Sequence, residues 1–520
     1  MTTKKFSPIT TESEWTFDII QDYYLHLERI ATEKYGLTFY PNQIEIISSE
    51  QMLDAYSSVG LPVGYSHWSF GKDFVRQQEQ YKRGRMGLAY EIVINSNPCI
   101  SYCMEENTTM MQVLVIAHAA FGHNSFFKNN YLFKQWTDAD AIIDYLVYAK
   151  KYIAECEEKY GYDEVESLLD SCHALQMYGV DKYTKRGSLS AAEEEHRQQE
   201  RNAHTQASLN DIWRTVPVTN KPDEDEEAIE RFPPEPEENV LYFLEKNTPN
   251  LPQWKREIIR IVRKLAQYFY PQMQTKVMNE GAATFFHYHL VHDLYDEGLL
   301  SEGFMMEFYD NHTAVVRQVP YDHPGYSGIN PYALGFAMYQ DIKRVAIEPT
   351  AEDVEWFGRQ SWVGSGDWIG AIKWAMENFK DESFIQQFLS PTVIRDLKLF
   401  SFVDDDEDDM IEISAIHNKQ GYKAVRETLA AQYNIGVSIP DLQVYDVDRW
   451  GDRSITLIHN MVDRRPLDFD DTIEVLKHLR SIWGFDVYVY SVVGPTLYQT
   501  ITLDCDGPTI DTFIEGVTDW

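Results

Sequence analysis

The sequence predicts a mainly helical protein with a small sheet near its amino terminus, followed by a separate α+β domain at its carboxy terminus. Three observations carry this. Apolar residues recur at spacings of three and four through most of the first ~400 positions. One early segment, Leu88–Ser96, alternates and is rich in β-branched residues instead. Beyond the acidic run Asp404–Asp409, short alternating stretches interleave with two amphipathic helices.

Taken in order, Thr11–Tyr35 reads as a helix with Trp15, Ile19, Tyr23, Leu27 and Ile30 on one face, ended by Gly36. Gln51–Ser57 is helical, and the strand Leu88–Ser96 is closed by Asn97-Pro98. A helix follows from Glu105 to Phe121, then Ala139–Tyr160 and Asp163–Tyr178, the last capped by Gly179. Residues 184–239 change character. They are polar, then rich in Pro, Asp and Glu, and read as a charged insertion and linker within a core spanning 1–400. Trp254–Tyr270 restores the amphipathic pattern, and helices run from Asn279 to Asp310. Another starts at Asn330-Pro331, with Asn as N-cap and Pro as first helical residue. The carboxy-terminal domain, 410–520, reads as strand Met410–His417, helix Gly421–Tyr433, and a hairpin of Leu442–Asp448 and Ser454–Asn460. Helix Asp470–Trp483 and strands Asp486–Val493 and Thr496–Asp504 complete it. This contains the ferredoxin-like β-α-β-β-α-β order with one extra strand.

The 520 residues carry 46 Lys+Arg against 82 Asp+Glu, a net charge of −36, which argues against nucleic acid or an anionic membrane as partner of a broad basic surface. With 44% hydrophobic and 14% aromatic residues, sizeable cores are expected. The amino terminus lacks the apolar stretch of a secretory signal. The longest strongly apolar run, Met110–Phe121, is about half of a ~20-residue membrane span. Five cysteines without tight pairing fit a reducing cytoplasm. There is no phosphate-binding Gly-rich loop and no nucleophile elbow.

Two constellations could carry chemistry. The first is Ala117-His118-Ala-Ala-Phe-Gly-His123, at the end of an apolar helix after the strand. A strand leading into a helix with two histidines is the layout of zinc-dependent peptidases. The spacing is five rather than four, which separates the two rings by about 140° on a regular helix. A π-bulge, or a helix ending at Gly122, would bring them together. Ala119 stands where the usual general-base glutamate follows the first histidine. The plainer reading is a hydrogen-bonded core histidine and a helix-end cap.

The second is Asn279-Glu280-Gly281-Ala282-Ala283-Thr284, with His287 seven residues after Glu280 and on its face of the helix. Small residues between them leave space for a metal or a neighbouring helix. The plain reading is a dipole-favoured Glu at a helix start. His289 and His292 point elsewhere, toward the surface. The Asn-Glu-Gly-x-Ala pattern resembles the third-ligand helix of gluzincin peptidases, in which Glu completes a His/His/Glu zinc site. That resemblance implies a gluzincin-metallopeptidase-like core with zinc on His118, His123 and Glu280, and His173 or His287 assisting proton transfer or orienting a ligand. For His173, on its mostly apolar helix, the plainer reading is a satisfied core histidine. Glu105 and Glu106 lie about 18–20 Å away along the helix, too far to supply the missing base. His67 sits in an aromatic loop that could line a cleft.

Longer phrases are more specific. Tyr56-Ser-Ser-Val-Gly60, His67-Trp-Ser-Phe-Gly-Lys72, Tyr90-Glu-Ile-Val-Ile-Asn-Ser-Asn-Pro98, Gly122-His-Asn-Ser-Phe-Phe-Lys-Asn-Asn130, Asn279-Glu-Gly281 and Ser327-Gly-Ile-Asn-Pro-Tyr-Ala-Leu-Gly335 resemble the SpoVR (stage V sporulation protein R-like) family. The resemblance runs from about Trp15 to Trp483 and is closest to Gram-negative members. It implies a role in spore cortex formation among spore formers and in stress responses elsewhere, alongside a PrkA-type serine kinase and a von Willebrand A-domain protein. The family usually has Trp where this chain has Ala282. Two functions are therefore expected. One is a cytoplasmic zinc-dependent hydrolase of a peptide or a cell-wall-derived amide. The other is a non-catalytic regulatory or scaffold protein, which Ala119 favours.

Overall fold

The structure, a computed structural model, describes residues 7–57, 64, 65, 67, 68, 91–182, 231–321, 323, 325–403, 412–415, 417–434, 439–461 and 464–517. Most of the charged insertion and the acidic run Asp404–Asp409 therefore lie outside the described residues. The chain divides into two compact units, Met1–His173 with Pro252–Pro440, and Ala174–Leu251 with Asp441–Trp520.

In the first unit, the opening helix Phe17–Arg29 is capped by Thr16, whose side chain accepts from the Ile19 N–H. It passes into a π-turn, Ile30–Lys34, and the chain breaks away at Gly36, where φ is +57°, a conformation that favours glycine. Strands β1 (Asn42–Ile47), β2 (Glu91–Ile94) and β3 (Cys99–Met104) form a sheet in the order β1-β3-β2. β1 runs parallel to β3 and β2 antiparallel to it. In β2 the inward residues Ile92 and Ile94 are buried, leaving Glu91 and Val93 on the other face.

After β3 the helix Thr109–Ile116 begins, with Thr108 as its cap. The helix therefore starts later than the expected Glu105, and Glu105 and Glu106 sit in the preceding turn. This helix continues into a π-helix, Ala117–His123, and then into Asn124–Asn129 without a break. Helix Lys276–Asp296 runs through the middle of the core, packed against the π-segment and against helix Pro331–Ile347. The latter has the expected cap, with the Asn330 side chain accepting from the Tyr332 N–H and Pro331 at the first position.

Close approach of these three segments depends on glycine. A Cβ on Gly122 would lie 2.6 Å from Ala283 Cα, and one on Gly281 would lie 2.5 Å from the Gly335 backbone. The start of Lys276–Asp296 has no side-chain cap of its own. Instead the buried carboxylate of Asp381, from a helix about a hundred residues away, accepts from the Val277 and Met278 N–H groups at 2.9 Å each. Asp381→Ala leaves two buried donors without an acceptor. It is expected to destabilise the protein by about 1–3 kcal/mol, with Asp381→Asn losing less, as read by chemical denaturation.

The ferredoxin-like order does not form. The expected first strand, seen as Glu412–Ala415 (β5), pairs with Ser401–Val403 (β4) in a separate two-stranded ladder. The following helix, Lys419–Gln432, lies against helix Asp381–Phe388 and places Tyr422, Val425, Leu429 and Ala430 in the large helical core. Its apolar face is buried there, so it is not available to cover the five-stranded sheet. The second unit holds a five-stranded sheet, β6 (Asp441–Val447), β7 (Ile455–Asn460), β8 (Val487–Val493), β9 (Thr496–Leu503) and β10 (Pro508–Val517). Its order is β10-β9-β8-β7-β6. Only β7 and β8 are parallel, because helix Phe469–Trp483 connects them as a crossover. Among the described residues no helix is long and apolar enough to cross a membrane.

Candidate metal centre

His118 and His123 are five apart, and the π-helix is what lets them meet. Its hydrogen bonds run from residue i to i+5, as in the bond from the Asn124 N–H to the Ala119 carbonyl. The two rings stand 4.6 Å apart between centroids and perpendicular. The run of small residues, Ala117, Ala119, Ala120 and Gly122, allows the widened turn to be packed tightly.

Both histidines direct Nε2 toward the same carboxylate oxygen. Glu280 Oε2 lies 3.7 Å from His118 Nε2 and 3.4 Å from His123 Nε2. A fourth residue joins them from strand β2, for Glu91 Oε1 lies 3.4 Å from His118 Nε2. Donor atoms of Glu91, His118 and His123 all fall within 4.8 Å of one another. The other ring nitrogens are held from behind. The Asn279 side-chain oxygen accepts from His123 Nδ1 at 2.9 Å, and His118 Nδ1 meets His287 Nδ1 at 2.8 Å. Tyr332 stacks on His118 at 6.3 Å and bonds to Glu280.

Each residue of Asn279-Glu280-Gly281 thus has a separate task. Asn279 fixes a ring, Glu280 offers a carboxylate, and Gly281 lets the helix approach its neighbour.

The donor set suits a divalent metal. Ligand bonds of about 2.0–2.2 Å at tetrahedral angles put donor atoms roughly 3.3–3.6 Å apart, and the contacts between the carboxylates and the rings span 3.4–3.7 Å. Glu280 Oε2 and Glu91 Oε2 are buried without a hydrogen-bond partner, which is costly unless something else satisfies them. Two imidazoles with carboxylates fit zinc and its first-row neighbours.

Electrostatics separate the two carboxyls. Burial, only partly offset by His118, pushes Glu91 up to about 7. Glu280 is held below the usual carboxylate range, because the two histidines and Tyr332 outweigh its burial. Burial depresses His123 to about 4, leaving a neutral ring, whereas the two carboxylates raise His118 against its burial. One carboxyl is therefore suited to staying ionised as a ligand, and the other to exchanging a proton near neutrality.

The SpoVR like protein family matches residues 14–438, and the SpoVR-like C-terminal domain matches residues 440–494. The chain belongs to the SpoVR family. It is 57% identical over 476 residues to an uncharacterized protein, YcgB, of Escherichia coli strain K12, covering 91% of this chain and 92% of that relative. No solved structure matches it. The boundary between the two SpoVR family regions, at 438–440, coincides with that between the compact units at Pro440 and Asp441.

Of the residues singled out in this SpoVR chain, His118, His123, Glu280 and His287 come together. His173 is engaged elsewhere, bonding Tyr65 through Nε2 and packing on His67 at 4.3 Å between ring centroids. His67 in turn meets Asp170 at 3.1 Å. His289 and His292 are half-buried rather than on the surface. His289 packs on Phe285 and Trp368, and His292 bonds the Tyr288 carbonyl and the Tyr309 hydroxyl. Ala282 is fully buried in the core. Glu91, and His312 whose Nδ1 meets His287 Nε2 at 2.9 Å, were not singled out by sequence reasoning. Glu91 was visible only as the polar residue on the open face of an otherwise apolar strand, and His312 had no signal at all.

Proposed function

We propose that this SpoVR protein is a zinc-dependent hydrolase of a peptide or a cell-wall-derived amide. The observation that carries the reading is the convergence of His118, His123 and Glu280 around a fourth buried carboxyl, Glu91. Zinc held by the two Nε2 atoms and Glu280 would polarise a carbonyl and lower the pKa of a water. Glu91 takes the part of the base that Ala119 leaves unfilled. It would accept a proton from the attacking nucleophile and hand it to the departing nitrogen. Asn279 and His287 keep the two rings aimed. Tyr332, next to Glu280 and stacked on His118, is placed to donate a hydrogen bond at the reacting centre. A gluzincin-like arrangement is thus approached with the base moved from the histidine helix to a strand.

The test is Glu91→Gln, which keeps shape and removes the base. A pooled library of short peptides and peptidoglycan-derived amides, read by mass spectrometry, supplies the substrate. Turnover by the zinc-loaded protein is expected to fall about 10²–10⁴-fold with zinc content retained. Equal turnover in the variant contradicts the assignment of Glu91. Absence of turnover in the wild type, with zinc bound, favours the regulatory reading of the family.

A further inference from the structure

Behind the site lies a column of three imidazoles. His118 Nδ1 meets His287 Nδ1 at 2.8 Å, and His287 Nε2 meets His312 Nδ1 at 2.9 Å. All three side chains are buried, with residue exposures of 5%, 2% and 5%. They come from three different elements: the π-segment, helix Lys276–Asp296 and helix Glu302–Val315. His312 is clamped by aromatic rings, stacking on Phe308 at 5.4 Å and meeting Phe336 edge-on at 4.9 Å.

A neutral imidazole carries one N–H and one bare nitrogen. In a head-to-tail column the protons must all be ordered the same way. One order puts the proton of His118 on Nδ1, donated to His287 Nδ1. His287 then donates from Nε2 to His312 Nδ1. That order leaves His118 Nε2 bare, facing Glu91 and Glu280. In the opposite order, with His312 donating from Nδ1, His118 carries its proton on Nε2 and presents an N–H where a lone pair is needed.

We infer that His312 is a positioning residue which, through His287, sets the tautomer of His118 and commits it to bind a metal through Nε2. The inference rests on the metal reading above. It assigns His312 no contact with substrate. The acceptor on His312 is what the column requires, so a residue offering an acceptor at the same place should serve.

The experiment measures zinc affinity by competition with a chromophoric chelator for wild type, His118→Ala, His312→Leu and His312→Asn. Wild type is expected to bind zinc that His118→Ala does not. His312→Leu should bind about 10–100-fold more weakly. His312→Asn, whose Oδ1 can take the place of Nδ1, should stay within about threefold of wild type. Leu matching wild type, or Asn failing as badly as Leu, overturns the inference while leaving the metal site intact. No zinc uptake by wild type beyond that of His118→Ala overturns both. A second measurement needs no variant. In zinc-loaded protein labelled with 15N-histidine, His287 should carry its proton on Nε2, and a proton on its Nδ1 overturns the inference.

Discussion

Gly335→Ala is expected to cost the fold about 3 kcal/mol or more and to destroy the site with it. A Cβ at this position would sit 2.2 Å from the Val277 carbonyl oxygen and 2.7 Å from Gly281 Cα, both backbone atoms of the facing helix. Flexible side chains can yield by a few tenths of an ångström, but packed backbones cannot. Relief therefore requires helices Lys276–Asp296 and Pro331–Ile347 to separate. Overpacking of a dense core costs about 1–3 kcal/mol when side chains absorb it, and more when they cannot. Because Glu280 and Asn279 start that same helix, separation also withdraws the carboxylate from the histidines. Chemical denaturation and zinc affinity should fall together. A helical glycine on the surface makes the contrast. Gly303 is exposed, and the nearest atom to its added Cβ is the Ser301 hydroxyl at 3.8 Å. Gly303→Ala is expected to gain about 0.5–1 kcal/mol from helix propensity. If both variants behave alike, the close helix contact is not what holds the site together.

Glu280→Gln is expected to separate binding from folding. The substitution preserves volume but removes the charge that both histidines face at 3.4–3.7 Å. Zinc affinity should drop at least 100-fold, since a ligand is lost rather than merely reoriented. Stability in the presence of a chelator should fall only modestly, because the two histidines and Tyr332 favour the ionised carboxylate while burial of its Oε2 without a hydrogen-bond partner works against it. Sites that bind are commonly places where the fold gives up stability for function. A loss of stability with unchanged zinc affinity would instead make Glu280 a structural member of a polar core. Thermal melts with and without chelator, run beside the affinity measurement, distinguish the two.

Much of the helical core was legible because it follows periodic burial and local capping. Trp15 to Ile30 marks the first helix, and Asn330-Pro331 marks the start of another. The candidate metal residues were legible by type, with His118 and His123 after a strand and Glu280 in Asn-Glu-Gly. What the sequence withheld was geometry. A five-residue spacing is compatible with rings apart or rings together, and the π-helix Ala117–His123 is what decides between them. Glu91 was hidden because a lone acidic residue on a strand ordinarily faces water. His312 was hidden because its importance lies in what two other helices bring to it. The carboxy-terminal order was misread for a similar reason. Helix Lys419–Gln432 has an amphipathic pattern that says it must pack, but not on which core.

The most direct measurement is the metal content of the full chain purified without added metal, compared with His118→Ala and Glu280→Ala prepared in parallel. Elemental analysis should find close to one divalent metal per wild-type chain, with zinc expected, and less than a tenth of that in either variant. Substoichiometric metal, unchanged by both substitutions, would contradict the claim that His118, His123 and Glu280 form a metal centre.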